Sequence, residues 1–511
     1  MNEIGSARGI LSCRRKNKPD FRVPSNSSSQ LIKVMEASIP FSSKPDVEIT
    51  DLQARVSGTF RVQQDFFRSG TTRPYAFRKA QLQRLLKAIQ DNEELISQAL
   101  YRDLRKSEFE AYGSEIGILY KEIRHTLRHL KEWMEPRRVA TPMLFFPSSS
   151  RIVPDPLGTV LIIGPWNYPF LLAMNPLVSA IAGGNTAFVK PSEQAPHTAD
   201  IVEKIIKECF DPSFVAVFQG PGHIVAPAII EENRFDHIFF TGNLTVGKRI
   251  MEMATAHLTP VTLELGGKSP CIIDREANLE HAARKVAWSK IFNAGQTCVA
   301  PDYLLVHAEV KDLFLTKLKS AFVKMLGDDP QKSPDYGRLI NRKRFDAVTG
   351  YLKEGQVVFG GQTDPDDLYI APTILDGVSI HDKVMQEEIF GPILPVITYR
   401  KREEVLDWIE RNPYPLALYL FTSSRESERY YVENVRFGGG CINNGIIHLG
   451  NPDLPFGGVG ASGMGQYHGK HGFDVFTRPK SILRTPTWFD VPLWYAPYGN
   501  NLKWVKMFFR L

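Results

Sequence analysis

TVLIIG, residues 159–164, is an unbroken apolar run closed by a glycine, and it decides how the rest of the chain is read. A strand with one wet face alternates polar and apolar residues, whereas a strand covered on both faces carries apolar residues throughout. The run therefore predicts a strand buried from above and below, the kind found in parallel sheets with helices on both faces. Its neighbours keep the rhythm. TAFVK (186–190), VAVFQG (215–220), HIFFTG (237–242) and VTLELGG (261–267) follow, separated by helix-like stretches such as the one running through Ile201 to Cys209. Strands alternating with helices predict a doubly wound parallel sheet, and such sheets bind ligands at the carboxyl ends of their strands.

A second alternation starts near Ser269. SPCIID reads as a strand, and NLEHAARKVAWSKIF (278–292) as a helix with Leu279, Ala282, Ala283, Val286 and Ile291 on one face. This unit continues to about Thr477. Upstream, residues 56–135 are helical, with Leu82, Leu85, Leu86 and Ile89 at three- and four-residue spacing. Residues 137–158, RRVATPMLFFPSSSRIVPDPLG, break that pattern and read as an extended hairpin arm. The fold class is thus α/β, with two doubly wound lobes and a β-arm. A chain of 511 residues is too long for one simple core, so more than one compact unit is expected.

Composition excludes several function classes. With 43% hydrophobic and 23% charged residues the chain has the balance of a globular protein. The net charge of +6 owes much to RRKNKPDFR (14–22), which leaves a nearly neutral body and no basic domain for nucleic acid. Five cysteines (Cys13, Cys209, Cys271, Cys298, Cys441) form no C-x-x-C pair and are too sparse for a disulfide framework. That points to a reducing, cytoplasmic setting. Cys209 and Cys271 read as core, and Cys441 as a loop cysteine near a site at best. No apolar run is long enough to span a membrane, and the start has no signal-peptide core. The histidines show no metal-ligand spacing, so no metal is expected. Residues 1–47 read as a disordered leader or an over-extended start with Met35 as initiator. A targeting segment is the alternative, but no amphipathic helix is clear there.

Three glycine motifs invite misreading. GNLTVGKR (242–249) is nearly a phosphate loop, but Arg249 stands where magnesium needs a Ser or Thr hydroxyl. What survives is a strand turning into a helix, a natural phosphate site for a dinucleotide. GVGASG (458–463) has the G-x-G-x-x-G spacing but follows a loop, so it reads as a glycine-rich segment packed near a site. GGKS (266–269) lacks the upstream glycine. The notable residue there is Glu264 at the mouth of its strand, equally a structural ion-pair partner or a general base. FNAGQTCVAPDY (292–303) raises a similar question, since most free cysteines are buried apolar groups and Cys298 needs an environment that favours its thiolate.

Taken together, PWNYP (165–169), KPSE (190–193), FTGN (240–243), LELGGK (263–268), GQTC (295–298), EEIFGP (387–392) and PFGGVGASGMG (455–465) occur in an order that resembles the aldehyde dehydrogenase superfamily. The forms NYP, CVAPDY and SGMGQYHGKHGFDVFT look most like its class 3, fatty-aldehyde branch. The resemblance covers the chain from about Arg55 to the tail. It implies NAD(P)-dependent oxidation of an aldehyde, medium- or long-chain aliphatic or aromatic, to the acid. Hydride can leave only from an sp³ carbon bearing an oxyanion, which a thiolate adding to the carbonyl creates. The resemblance accordingly assigns Cys298 as nucleophile, Asn167 with the Cys298 N–H as oxyanion donors, and Glu264 as the base that activates water against the thioester.

The cofactor residues are carried over in the same way. Lys190 and Glu193 would meet the adenosine ribose, the Glu193 carboxylate favouring NAD while Lys190 leaves NADP open. Gly242, Asn243 and Gly247 would form the pyrophosphate turn, although relatives commonly have Ser where Asn243 stands. Glu388 would hold the nicotinamide-side ribose, with Phe390 and Trp166 beside the nicotinamide. The implied domains are a dinucleotide-binding domain (48–135 and 159–262), a catalytic domain (263–477), an oligomerisation arm (136–158 and 478–500) for a homodimer, and a tail (501–511). The tail, with Trp504, Met507 and Phe508 among Lys503, Lys506 and Arg510, would pack on the dimer or touch a membrane surface peripherally. A coenzyme-A-acylating relative is the nearest alternative, disfavoured by a water-activating Glu264. A catalytically idle relative would be expected to lack Cys298, Glu264 or Asn167.

Overall fold

The face-by-face burial of residues 160–163 explains the architecture seen in a computed structural model of the chain, which describes residues 45–509. The leader and its start-site and targeting readings lie outside the described residues, apart from the first residues of a helix, Pro45–Arg68. In the strand Thr159–Ile163 every residue is buried, but successive side chains enter different cores. Val160 and Ile162 pack with Leu82, Leu85 and Ile123 from the helices Tyr75–Asp91 and Gly117–Met134. Leu161 and Ile163 point the other way, among Val56, Phe60, Phe188 and Ile250. A strand with helices on both sides needs apolar residues at every position, which is why TVLIIG has no alternation.

Six strands form this sheet, in the order Gly463–Met464, Val261–Glu264, His237–Thr241, Thr159–Ile163, Thr186–Lys190, Val215–Val217. All neighbours are parallel except the first pair, in which Gly463 lies antiparallel opposite Glu264. GVGASG thus ends in a short edge strand that the sequence pattern does not show.

The second sheet has seven strands, ordered Gln356–Phe359, Thr373–Asp376, Ile393–Tyr399, Tyr303–His307, Pro270–Ile273, Ala417–Phe421, Gly439–Ile442. Only Gln356–Phe359 runs antiparallel. Cys271, Leu304 and Tyr419 face the helices Leu279–Ile291 and Lys311–Leu326, while Ile272, Leu305 and Leu418 face the opposite core. Cys271 and Cys209 are buried, as expected. Cys441 is a correction: it lies in the strand Gly439–Ile442, not in a loop. Three successive glycines hid that strand, because glycine has low strand propensity and leaves no side-chain pattern to read.

A third sheet joins Arg137–Val139, Ser149–Pro156 and Thr477–Arg484, the last two paired along eight residues. The extended excursion is therefore a hairpin completed by the chain's return. Beyond it, Leu502–Phe508 is a short helix. Among the described residues no helix is long and apolar enough to cross a membrane.

Candidate active site

Parallel pairing brings four of the flagged segments to one edge. Trp166 and Asn167 follow the end of Thr159–Ile163, Glu193 follows Lys190 at the end of Thr186–Lys190, Gly242 and Asn243 follow Thr241, and Glu264 closes Val261–Glu264. Register sets Thr241 beside Glu264, and the Gly242 N–H donates to the Glu264 carbonyl at 3.0 Å. From the second lobe come the stretches that precede its strands: Cys298 ahead of Tyr303–His307, and Glu388 with Phe390 ahead of Ile393–Tyr399.

The Cys298 segment leaves the helix Leu279–Ile291 through two left-handed residues, Asn293 (φ 50°) and Ala294 (φ 51°). Asparagine tolerates that conformation, whereas alanine pays about 1 kcal/mol or more for it. The turn is over-determined by hydrogen bonds. The Asn293 amide donates to the carbonyls of Asn167 (2.8 Å) and Gln296 (3.0 Å), and the Gln296 amide donates to Asn293 O and Arg338 O. The Asn167 amide donates to Gln296 O at 3.1 Å, so the flagged donor is tied to the backbone two residues before Cys298. Lys106 adds a bond to Asn167 O at 3.0 Å and sits 4.1 Å above the Tyr168 ring. The Tyr168 hydroxyl shares a 2.5 Å hydrogen bond with Thr297 Oγ1.

Burial dominates the electrostatics. It raises the Cys298 thiol far above its ordinary value, and the Glu388 and Glu264 carboxyls raise it further. The N–H groups of Cys298 and Val299 pull the other way by hydrogen bonding to the sulfur. Glu264 is 2% exposed, and burial alone lifts its carboxyl well above the usual range. Neither of its oxygens has a hydrogen-bond partner. Among the described residues Glu264 has no ion-pair partner, and a buried acid left without one needs another account of its burial. Burial also pushes Glu388 up to about 8, helped by Asp302 and opposed by the Gly267 N–H. A strap fixes that neighbourhood: Lys268 is paired with Asp302 and donates to Val384 O and Glu387 O, while Asp302 accepts the Ile389 N–H at 2.9 Å.

The residues along the strand ends fit a nicotinamide dinucleotide. Lys190 is almost fully buried and donates to Glu193 Oε2 at 2.7 Å, while Glu193 Oε1 accepts the Gly222 N–H at 2.8 Å. Burial opposes the Glu193 charge, but the ammonium and that N–H outweigh it and hold the carboxyl below its ordinary value. The helix Leu244–Thr255 presents an exposed N-terminus, capped by the Asn243 side chain accepting from Val246 N–H. Thr241 Oγ1 is a buried hydroxyl without a partner. Gly266 leaves no room for a side chain, since a Cβ there would lie 2.2 Å from Glu388 Oε2. The ring of Trp166 meets Phe390 edge-on at 5.2 Å. Gly247 has a packing reason of its own, because a Cβ would stand 2.8 Å from Leu265.

Sequence reasoning passed over Lys106, Tyr168, Asn293 and Thr297. Tyr168 and Thr297 stood inside flagged motifs, whereas nothing in the helical stretch marks Lys106 as buried.

The aldehyde dehydrogenase family profile matches residues 33–482 of the chain. A 4,4'-diaponeurosporen-aldehyde dehydrogenase of Staphylococcus aureus is 46% identical over 453 residues, 87% of this chain and 97% of that protein. Human aldehyde dehydrogenase family 3 member B1 is 46% identical over 429 residues, covering 84% and 91%. Among solved structures, a substrate-bound state of S. aureus AldH superposes with a TM-score of 0.87 at 45% identity, covering 89% of this chain and 99% of that one. An indole-3-acetaldehyde dehydrogenase complexed with NAD+ gives 0.78 at 29% identity, covering 85% and 89%. The chain belongs to the aldehyde dehydrogenase family. It is an NAD(P)-dependent oxidoreductase acting on the aldehyde group, and its relatives include the class 3 branch.

Proposed function

We propose that Cys298, Asn167 and Glu264 carry the oxidation of an apolar aldehyde to its acid, and the observation that carries this reading is the wholly buried, unpartnered Glu264 carboxyl coupled to the Cys298 sulfur. Cys298 gives its thiol proton to solvent water, at a cost set by its raised proton affinity, and the Sγ thiolate adds to the carbonyl carbon. The developing oxyanion takes hydrogen bonds from the Cys298 N–H and the Asn167 amide, which has two N–H groups and gives one to Gln296 O. NAD(P)+ bound along the strand ends supplies the hydride acceptor. Lys190, Glu193, Gly242, Asn243 and Gly247 hold its adenosine and phosphate half, and Glu388, Phe390 and Trp166 the nicotinamide half. Loss of hydride leaves a Cys298 thioester; water attacks its carbonyl carbon and gives a proton to Glu264, whose raised proton affinity suits it to that task, and collapse breaks the S–C bond, releasing the acid and the Cys298 thiolate.

The Glu193 carboxylate supports NAD over NADP, since it would repel a 2′-phosphate. Apolar substrates are supported by Trp288, Phe292, Leu449 and Phe456, which border the same hydrophobic cluster as Cys298. The division into a dinucleotide-binding domain (48–135, 159–262), a catalytic domain (263–477), an arm (136–158, 478–500) and a tail (501–511) accompanies this reading. A homodimer is supported by exposed apolar side chains on arm and tail, among them Met143, Phe146, Trp488 and Trp504. The same tail on a membrane surface is the competing occupant, which sedimentation with and without vesicles distinguishes. The four described cysteines are all free, in keeping with a cytoplasmic enzyme.

The test is cofactor reduction with hexanal, decanal and benzaldehyde in wild type, Cys298→Ser and Glu264→Gln. Cys298→Ser should be inactive, and full activity there would overturn the mechanism. Glu264→Gln should keep a first-turnover burst and lose steady turnover. Equal loss of both phases would leave it a structural role only.

A further inference from the structure

Three charged side chains packed behind the Cys298 turn have no part in the reaction above: Lys106 and Glu115, both fully buried, and Glu110, 6% exposed. They sit on one short stretch of chain. The helix Glu108–Ala111, capped by Ser107 accepting from the Glu110 N–H, runs directly into a π-helical turn, Tyr112–Ile116. π-Turns inside helices are rare and shift the side chains that follow. Here the two carboxylates reach different segments. Glu115 Oε2 accepts the N–H groups of Phe170 (2.9 Å) and Leu171 (3.1 Å), just after Asn167. Glu110 Oε1 accepts the Asn293 N–H at 2.6 Å, at the first left-handed residue of the Cys298 turn. Lys106 stands between them, donating to Glu115 Oε1 at 2.5 Å and to Asn167 O at 3.0 Å.

We infer that Glu110 is a positioning residue for the oxyanion donor: by holding the Asn293 N–H it fixes the left-handed turn, and through the Asn293 amide it sets where Asn167 and Gln296 stand relative to Cys298. This rests on the roles given to Asn167 and Cys298 above. The helix Leu279–Ile291 ends at Phe292, so the Asn293 N–H has left the helical ladder and needs another acceptor. A carbonyl would satisfy it without burying a charge. The chain instead brings a carboxyl from a segment 183 residues away, at a cost visible in Glu110 itself. Burial pushes it up to about 7 despite Lys106 and the Asn293 N–H, with Glu115 and Asp335 adding to the rise. Asn293 in turn bridges Asn167 O and Gln296 O, and Gln296 O is also the acceptor that holds the Asn167 amide. One short stretch of chain, residues 106–115, therefore contacts both segments, the Asn167 segment through Glu115 and Lys106 and the cysteine segment through Glu110.

The experiment is a set of cycles in full-length protein. Glu110→Ala, Glu110→Gln and Asn293→Gly are each made alone and with Asn167→Ala, and kcat, KM for aldehyde and NAD, and melting temperature are read. Glu110→Ala should lower kcat about tenfold with KM for NAD within about twofold. Glu110→Gln, whose amide oxygen still accepts the Asn293 N–H, should recover most of that. Asn293→Gly keeps the left-handed turn but loses the bridge, and should also lower kcat about tenfold. In the Asn167→Ala background each of the three should cost less than about twofold further, since the donor they place is gone. A full tenfold loss in that background, equal damage from Gln and Ala, or wild-type kcat in both Glu110→Ala and Asn293→Gly would overturn the inference. If Glu110→Ala fails to fold, Glu110→Gln and Asn293→Gly decide alone: wild-type kcat in Asn293→Gly, or a tenfold loss in Glu110→Gln, overturns it. Asn167→Ala and Cys298→Ser alone separate the two levels. Asn167→Ala slowed about a hundredfold and Cys298→Ser inactive, with additive Glu110 effects, defeats the positioning only, whereas an Asn167→Ala turnover within about threefold of wild type defeats the site reading and the inference with it.

Discussion

Asn167→Ala should slow turnover about a hundredfold while leaving the fold nearly as stable as wild type. The structure separates the two effects. The Asn167 backbone carbonyl keeps its bonds from Lys106 and Asn293, because alanine retains it. Gln296 O loses the Asn167 amide but keeps the Asn293 amide at 3.0 Å, so no buried carbonyl is orphaned. One hydrogen bond with a surviving alternative is worth roughly 0.5–1.5 kcal/mol. Loss of one oxyanion donor, by contrast, costs about 3 kcal/mol in the transition state, and each 1.4 kcal/mol is about tenfold in rate. The assay is steady-state kcat with a saturating apolar aldehyde and NAD, beside a thermal melt. Turnover within about threefold of wild type, in protein for which Cys298→Ser is inactive, would show that the oxyanion is held elsewhere. A large fall in melting temperature would instead show that the side chain's work is structural.

Gly266→Ala should fold, because the atom its Cβ meets is the movable end of Glu388, but the carboxylate must leave the Gly267 N–H. With a hydrogen bond of about 0.5–1.5 kcal/mol at stake, KM for NAD should rise severalfold, and an unchanged KM would detach Glu388 from cofactor binding. Glu193→Gln should narrow the NAD-over-NADP preference, measured as the ratio of kcat/KM values, and an unaltered ratio would remove Glu193 as the discriminator. Glu122, which accepts the Gly469 N–H at 2.7 Å, is pushed by burial from 4.5 to about 7 despite that N–H and Lys121, with Asp453 adding to the rise. The folded state thus binds the extra proton, so its stabilisation is complete below pH about 4.5 and is lost as pH rises through about 7. Glu122→Gln cannot ionise and should lose less stability between pH 5 and 8, by up to about 3 kcal/mol at 1.4 kcal/mol per pKa unit. Parallel melting curves against pH for the two proteins would refute that assignment.

The parallel strands were legible because burial on both faces writes itself into sequence as apolar runs such as TVLIIG and TAFVK. Cys298, Glu264 and Asn167 stood out only jointly: each alone left a structural reading open, and the order of the motifs is what carries the roles proposed for them. What stayed hidden has physical causes. Gly439–Ile442 has almost no side chains from which to read a strand. The edge strand Gly463–Met464 is two residues long and owes its pairing entirely to Val261–Glu264. Lys106, Glu110 and Glu115 look like ordinary charged positions on a helix; Lys106 instead lies in an irregular link before the helix Glu108–Ala111, and Glu115 in a π-turn, and neither leaves a sequence period to read.

That two-residue edge strand also bears on the order in which the molecule can assemble. Glu264 belongs to the first sheet, yet the partner that closes its strand's outer edge is Gly463, near the far end of the chain. Leu265 likewise gives its N–H to Ser462 O. A nascent chain can collapse the helices and strands up to residue 264 while this edge is still open, and an open strand edge invites pairing with other chains. The strand that carries Glu264 is sealed only when a contact of very high sequence separation forms, the slow kind of step in folding. Truncations ending before residue 460 would therefore leave not merely an inactive enzyme but a sheet with a bare, sticky margin, which makes the last fifty residues a safeguard against aggregation.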